Sequence, residues 1–453
     1  MEKLTVLVCP MDWGLGHASR CVPVISAFLD AGCRVVVAAA GRGRLLIERE
    51  FGNGRSDARA GGGGGGGGPV FVDFPGFRVS WPRRYPLLKF AGRLPSFLLH
   101  IRRERRYLEL LVKEFGVGIV VSDNRYGLIH PDVTAVIVTH QLSPSLPGAM
   151  RVFGRITAVW VRKMVSRFDE CWIPDCPGGP TAGALAGGRE RLGSVFFTGR
   201  LSRFGMAGED PPAGAGLLAA EGGGTESYRV VFILSGPEPY RSLFEAKVRQ
   251  IMGGREVRSL LVRGVPEGVP EDSPDEAGER TAAGGDPAGN AGREGEHGCR
   301  EPGSGDGLHI VSFLPSDELK RVTVMAGLVV CRSGYSTVTD LLVAGKRALL
   351  VPTPGQTEQE YLGRWLDGRG GFRMVSQREL NWEGIEEMLD GGESGREATG
   401  GNGRGNGGCS RLHPGMGDSC NDGTLLKERV KAVIGKAMGS EAEHHEKGNH
   451  KSA

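Results

Sequence analysis

Four segments set Gly beside polar or charged side chains where an apolar run ends. The first, Trp13-Gly14-Leu15-Gly16-His17-Ala18-Ser19-Arg20, follows the run Leu4–Cys9. Gly14 and Gly16 allow a tight turn that brings backbone N–H groups close to a ligand, and a helix opening there favours negative charge. His17 stands at the mouth of that turn, where an imidazole is either a proton acceptor near neutral pH or a solvent-facing helix-start residue. The second, Ser122-Asp123-Asn124-Arg125, ends a Val/Ile run, as does its neighbour Thr139-His140-Gln141. These put Asp123, Asn124 and His140 at the edge of a buried sheet, either as site residues or as plain loop starts. The third, Leu234-Ser235-Gly236-Pro237, can offer a hydroxyl and a backbone N–H to a phosphate, a signal that many strand-to-helix turns share.

The fourth segment is the longest. It runs Cys331-Arg332-Ser333-Gly334-Tyr335-Ser336-Thr337-Val338-Thr339-Asp340 and resumes at Pro352-Thr353-Pro354-Gly355-Gln356-Thr357-Glu358-Gln359. A helix opening at its Gly suits a diphosphate. Asp340, one turn inside, can accept two hydrogen bonds from a ribose diol, or it can simply complement the helix dipole. A dinucleotide-binding fingerprint is broken at the first segment. Ser19 holds the place of the third Gly, and Ala38-Ala39-Ala40 rather than an acid ends the second apolar run.

These segments can meet only if the intervening chain sets them along one edge. Leu4–Cys9, Cys33–Ala39, Val70–Phe74, Gly118–Ser122 and Val133–Thr139 read as buried strands, with Cys171–Pro174 and Val195–Thr198 as shorter ones. Helical spacing appears at Ala18–Ala31, Leu45–Phe51 and Phe97–Phe115. The pattern restarts with strands at Tyr228–Leu234, Arg258–Arg263, His309–Phe313, Gly327–Cys331 and Ala348–Val351, separated by helices. Continuous Val/Ile runs alternating with helices predict α/β architecture with parallel sheets covered on both faces. The expected organisation is two Rossmann-like domains facing a cleft, spanning residues 1–205 and 228–390. A linker at 206–227 joins them, and an amphipathic helix at 425–438 follows. In such sheets ligands sit outside the carboxyl ends of the strands, where all four segments fall.

Composition sharpens the division. The chain has 453 residues and 75 glycines, more than twice the usual share of about 7%. Much of the Gly lies in Ala60–Gly68, Pro266–Gly307 and 391–424, which read as disordered inserts, with a disordered tail at 439–453. The glycines have no three-residue period, which excludes a collagen-like chain. The net charge of +3 is uninformative, but its distribution is not. Arg78–Arg106 holds nine Lys/Arg and one Glu, whereas Pro266–Gly307 holds eleven Asp/Glu and three Arg. In the stretch Trp81–Arg106, aromatic and Leu residues alternate with cations. This suits docking on an anionic bilayer surface or an ordinary helix with a basic outer face. The nearly balanced whole-chain charge disfavours nucleic acid. Nine scattered cysteines form no CxxC pair, hence neither a zinc set nor a disulfide framework, and favour a reducing cytoplasm. Neither a signal peptide nor a membrane-length apolar run is evident.

The run Cys331–Leu362 resembles the donor-binding signature of the GT-B glycosyltransferases of family 28. That group includes the peptidoglycan N-acetylglucosaminyltransferases and the galactolipid synthases. Its pattern, S-R-x-G-x-x-T-x-x-E followed by a strand and P-x-x-x-x-x-x-Q, is met by Arg332, Ser333, Gly334, Thr337, Asp340, Pro352 and Gln359. Asp340 replaces the usual Glu, and Glu360 stands where a second Gln is common. Gly16-His17 is similar to the acceptor-side Gly-rich loop. Thr198-Gly199 with Arg203 resembles G-N-P-x-R, though Arg200 and Leu201 replace Asn and Pro.

The resemblance implies transfer of a sugar from a UDP-linked nucleotide sugar, with inversion and without a metal ion. No D-x-D triplet ends a strand, and no cofactor is called for beyond the donor itself. His17 is then the base and Asp123 the second candidate. Gly14, Gly16, Asn124 and His140 fall on the acceptor side. Arg203 would touch the diphosphate, and Ser235 and Gly236 would line it. Phe313 and Leu314 would lie where backbone reads uracil, and Asp340 and Gln359 would hold the ribose and sugar hydroxyls. A lipid-linked acceptor and a peripheral place on the inner face of the plasma membrane are further expectations. A nucleotide-sugar 2-epimerase of the same fold, or a non-catalytic nucleotide-sugar-binding subunit, are the alternatives.

Overall fold

A computed structural model describes residues 3–12, 14–52, 68–74, 86–144, 154–177, 181–205, 227–265, 307–393 and 423–449. Trp13, Trp81, Tyr85, nearly all of the expected linker and acidic insert, the segment 394–422 and residues 450–453 lie outside it. The first domain carries β1 (Thr5–Cys9), α1 (Leu15–Asp30), β2 (Arg34–Ala39), α2 (Gly41–Glu50), β3 (Val70–Asp73), α3 (Pro86–Phe115), β4 (Val117–Asp123), β5 (Thr134–Val138), α4 (Gly154–Val165), β6 (Glu170–Ile173) and β7 (Val195–Phe197). Its seven strands are all parallel in the order β3-β2-β1-β4-β5-β6-β7. The second carries β8 (Val230–Ile233), α5 (Tyr240–Met252), β9 (Ser259–Val262), β10 (Leu308–Val311), α6 (Ser316–Met325), β11 (Leu328–Cys331), α7 (Tyr335–Val343), β12 (Ala348–Leu350), α8 (Thr357–Leu366), β13 (Phe372–Met374) and α9 (Trp382–Glu393). Its order is β10-β9-β8-β11-β12-β13, again parallel.

Both orders reverse direction once, between β1 and β4 and between β8 and β11. At such a point neighbouring crossovers go to opposite faces of the sheet and leave a crevice at the strand ends. The first turn of the helix after β1 carries His17, and the end of β4 carries Asp123. The loops after β8 and β11 carry Ser235 and Ser333. The topology therefore brings sequence-distant polar segments to the two crevices. The central strands, such as β4 and β5, are almost wholly buried, which is why they read as continuous Val/Ile runs rather than as alternations.

Four elements depart from the sequence reading. Helix α3 begins at Pro86 rather than Phe97; Pro is favourable at a first helical position, where its missing N–H costs nothing. Helix α4, whose Ala158, Val161, Met164 and Val165 are buried at helical spacing, and the three-residue strand β13 have no counterpart in the sequence reading. The last helix, α10 (Thr424–Asn449), continues beyond residue 438, so part of the expected disordered tail is helical. It packs on the first domain rather than the second. Leu426, Val430, Val433 and Ala437 enter the core formed by α1, β1, β2 and β4. Arg429 lies over the Phe196 ring at 3.6 Å and donates to Glu170 Oε1 at 2.6 Å. Glu170 Oε2 in turn accepts the indole N–H of fully buried Trp172 at 2.8 Å. Within the same core the Trp172 ring stacks with Phe28 of α1, centroids 6.4 Å apart.

Cys9, Cys21, Cys33, Cys171 and Cys331 are free and buried, as the apolar strands suggested. Burial pushes the Cys171 and Cys331 thiols up to about 12, so they pack as neutral groups. Cys176, by contrast, is disulfide-bonded, which the scattered spacing did not suggest.

Docking of α10 has a direct consequence. Val433 is fully buried, so Val433→Asp places a carboxylate in an apolar core and should cost about 3 kcal/mol or more. A denaturant midpoint equal to wild type would contradict this packing.

Candidate functional site

The turn after β1 has Gly14 at φ 77°, a left-handed value that glycine adopts without steric cost and that lets α1 start at Leu15. The first turn of α1 then carries His17, and Arg20 lies one turn on. From the end of β4, Asp123 reaches the same point. His17 Nδ1 lies 2.9 Å from Asp123 Oδ2, and Arg20 Nη2 donates to Asp123 Oδ1. Asp123 is fully buried, Arg20 is 3% exposed and His17 is 18% exposed. Asn124, next in the chain, has φ 55°, a conformation that Asn tolerates better than most residues. Arg125 turns back under the loop. It donates to Pro10 O at 2.8 Å and pairs with Asp12 at 2.6 Å and with Glu104 of α3 at 3.1 Å, its guanidinium over the Phe74 ring. The loop that presents His17 is thereby tied to α3.

Charges in this cluster set one another's protonation. Burial and the Arg20 cation push His17 below the ordinary histidine value, and Asp123 opposes them only in part. Burial would raise the Asp123 carboxyl, but Arg20 and His17 overcome it and hold the carboxyl below its usual range. The result is an ionised carboxylate beside an imidazole that is neutral at pH 7.

His140 extends the cluster across the cleft. Its Nδ1 lies 3.0 Å from Arg20 Nη1, and its Nε2 lies 2.9 Å from Glu358 Oε1 in the first turn of α8. Gln141 Nε2 donates to the other Glu358 oxygen. The His140 ring stacks on Tyr335 of α7, centroids 3.9 Å apart and 9° from parallel, and the Tyr335 hydroxyl donates to Pro174 O. The Glu358 carboxyl is raised by burial but held below its ordinary value by the bond from His140 and the nearby cations.

On the second-domain side, Asp340 is 6% exposed. Its Oδ1 accepts from Ser202 at 2.6 Å and its Oδ2 faces Arg203 Nε at 3.4 Å. Burial raises this carboxyl, with Arg203 and Ser202 partly offsetting the effect. Ser333 Oγ donates to Gln359 O at 2.8 Å, and the Gln359 side chain accepts from Thr353 N at 2.9 Å. Gly334, Thr337, Ser235 and Gly236 are partly exposed at the same strand ends. Ser336 Oγ donates to Gly16 O at 2.7 Å, so the two Gly-opened helix starts touch. Phe313 and Leu314 are buried, and Arg49 of α2 lies over the Phe313 ring at 5.1 Å.

Arg332 is placed differently from the expected donor contact. It is fully buried over Phe244 and donates to the carbonyls of Val351, Pro352 and Tyr240 and to Gln377. It braces the loops around the crevice from behind. Burial lowers it to about 10, still a cation at neutral pH.

The structure thus brings His17, Asp123 and His140 together. Gly14, Gly16 and Asn124 shape their loops, and Asp340 and Arg203 pair nearby. Sequence reasoning assigned no role to Arg20, Ser202, Tyr335 or Glu358. Arg20, one helical turn from His17 and hence on the same face, could have been found by spacing alone. The other three depend on the meeting of two domains. Titration of the labelled imidazole by NMR should give His17 a midpoint below about 6.5; a midpoint above that value would contradict the influence of Arg20 and burial.

Residues 294–401 match the glycosyltransferase family 28 C-terminal domain. A UDP-N-acetylglucosamine–N-acetylmuramyl-(pentapeptide) pyrophosphoryl-undecaprenol N-acetylglucosamine transferase from Nitratidesulfovibrio vulgaris is 36% identical over 93 residues, 20% of this chain and 25% of that one. The transferase of the same name from Sinorhizobium fredii is 41% identical over 66 residues, 14% of this chain and 18% of that one. The matches therefore span a quarter or less of those relatives' length. Among solved structures, the glycosyltransferase SnogD from Streptomyces nogalater superposes with a TM-score of 0.55 at 16% identity, covering 96% of this chain and 100% of the other. A putative UDP-N-acetylglucosamine 2-epimerase from Listeria monocytogenes gives 0.52 at 14% identity, covering 96% of each chain. The chain resembles the glycosyltransferases of family 28 in sequence through residues 294–401, and both of its domains together share the GT-B fold of the glycosyltransferase SnogD.

Proposed function

We propose that this protein is a glycosyltransferase that moves a sugar from a UDP-linked nucleotide sugar to an acceptor hydroxyl, with inversion. The observation that carries the reading is the 2.9 Å pairing of His17 Nδ1 with buried Asp123, beside the N-terminus of α7. An Nδ1–H donated to Asp123 leaves the Nε2 lone pair as proton acceptor. The acceptor hydroxyl attacks the anomeric carbon as its proton passes to Nε2. The bond to the diphosphate breaks on the opposite face, and the configuration inverts. Negative charge grows on the leaving diphosphate, where the N-terminus of α7, Ser235, Gly236 and Ser333 offer donors. Asp340 would exchange Ser202 and Arg203 for the ribose diol, freeing Arg203 for the diphosphate. Gln359 would meet the sugar hydroxyls, and Phe313 and Leu314 the base. The scheme needs no cofactor and no metal ion, because these donors and cations compensate the charge.

His17→Ala should lower kcat by about 10² to 10⁴ while donor affinity stays within about threefold. Retained turnover would remove His17 as base. Sugar-nucleotide conversion without any acceptor would favour the epimerase reading, and donor binding without turnover in the wild type would favour a binding subunit. Activity should fall as pH drops through the His17 value, placing the acid limb of kcat/KM below about 6.5.

The acceptor is proposed to be lipid-linked, reached by a protein resting in the cytoplasm on an anionic membrane face. No helix among the described residues is long and apolar enough to cross a membrane. Of the stretch first considered, Trp81 and Tyr85 lie outside the described residues. Its described end joins α4 through the contact of Phe97 with Trp160, 5.7 Å between ring centroids. Leu98, Leu99, Ile156, Val159 and Trp160 are exposed there. Beside them a cavity of about 220 Å³ is lined by Arg102, Arg105, Arg167 and Tyr126. Apolar anchors ringed by cations favour a bilayer bearing phosphate headgroups. The triple variant R102E/R105E/R167E should lose sedimentation with phosphatidylglycerol vesicles that the wild type shows at low salt. Equal sedimentation of the two proteins would overturn the docking.

A further inference from the structure

We propose that Glu358 is a positioning residue that sets the tautomer of the base from the opposite domain. The inference rests on the transferase reading above. It starts from a conflict at one atom. His17 Nδ1 is 2.9 Å from Asp123 Oδ2 and 2.7 Å from Arg20 Nη2. It can donate to the carboxylate or accept from the guanidinium, but a single nitrogen cannot do both. Only the first choice leaves Nε2 unprotonated and able to take a proton. The second puts the proton on Nε2 and disables the base.

Arg20 decides between them, and Arg20 is held at two ends. One end donates to Asp123. The other end, Nη1, faces His140 Nδ1 at 3.0 Å. A guanidinium only donates, so His140 Nδ1 must accept and the His140 proton must sit on Nε2. There the Glu358 carboxylate receives it at 2.9 Å. Stacking on Tyr335 fixes the plane of the ring, and Gln141 fixes the second carboxylate oxygen.

Removing Glu358 removes the reason for that tautomer. With its proton on Nδ1, His140 would repel Arg20 Nη1. The guanidinium would then turn toward His17 Nδ1, the contact already 2.7 Å away. Glu358 belongs to α8 of the second domain, so the arrangement is complete only when the domains meet. A base that is competent only in the closed cleft limits wasteful attack by water on an incompletely enclosed donor. The titratable and charged groups that face His17 are Arg20, Asp123 and Glu358, and those that face Glu358 are His140, His17 and Arg20.

Three proteins test this: wild type, Glu358→Ala and Glu358→Gln. Glu358→Ala should lose at least about tenfold in kcat with donor KM changed less than about threefold. Its acid limb should move to lower pH, because a carboxylate that favours the His17 cation is gone. Glu358→Gln keeps an oxygen to accept from His140 and should recover part of kcat while the limb stays shifted. Nitrogen-15 imidazole spectra require no turnover. They should show His140 with its proton on Nε2 in the wild type and a mixture of tautomers in Glu358→Ala. Unchanged His140 spectra, or an unchanged kcat and limb in a folded Glu358→Ala protein, overturn the proposal. A wild type that converts no nucleotide sugar overturns the transferase reading instead, and the spectra still decide whether Glu358 sets the His140 proton.

Discussion

A carboxylate with no exposure to water has to be compensated where it stands, and Asp123 is such a carboxylate. Removing one partner from a buried, hydrogen-bonded ion costs several kcal/mol. Arg20 and His17 are therefore held close to it, and the loops that carry them are held in turn. The turn at Gly14, the left-handed Asn124 and the Arg125 brace under Pro10 all serve to bring three polar groups from two crossovers to one place. The same electrostatics leaves an imidazole neutral at physiological pH beside an anion, the state required of a base. Position and protonation thus have one cause.

The second domain repeats the topology with different chemistry. Its crevice presents Ser235, Ser333, Gly334 and Asp340 rather than a buried acid–base pair. The two halves meet through side chains that each would otherwise bury at a cost. Glu358 meets His140, Asp340 meets Ser202 and Arg203, and Glu50 accepts from Ser316. On the proposed reading, a bound ribose and diphosphate would replace the groups that engage Asp340, and the domain contact and donor binding would draw on the same hydrogen bonds.

Much of this was legible in the sequence, for stated reasons. Buried parallel strands appear as unbroken Val/Ile runs, so the two-sheet architecture followed from pattern alone. Gly16-His17 and Arg332–Gln359 were visible because a helix opening at a strand end requires small residues there. The bonds of Arg332 to the carbonyls of Val351, Pro352 and Tyr240 were not legible, because a motif gives spacing and not the direction in which a long side chain turns. Glu358, Tyr335 and Ser202 were missed because their partners lie more than a hundred residues away in the other domain. Helix α10 was recognised as amphipathic, but periodicity gives a buried face without naming the surface that covers it.

On the proposed reading, a base at His17 drives a single displacement at the anomeric carbon of a nucleotide sugar. Water can stand in for the acceptor, so the stereochemistry of the displacement is measurable before the acceptor is known. The measurement is the proton NMR spectrum of the sugar first released from an α-linked UDP-sugar during slow hydrolysis, recorded before mutarotation. The β-anomer is expected from wild type and none above background from His17→Ala. Release of the α-anomer first, or an epimerised nucleotide sugar with no cleavage of its anomeric bond, would contradict that reading.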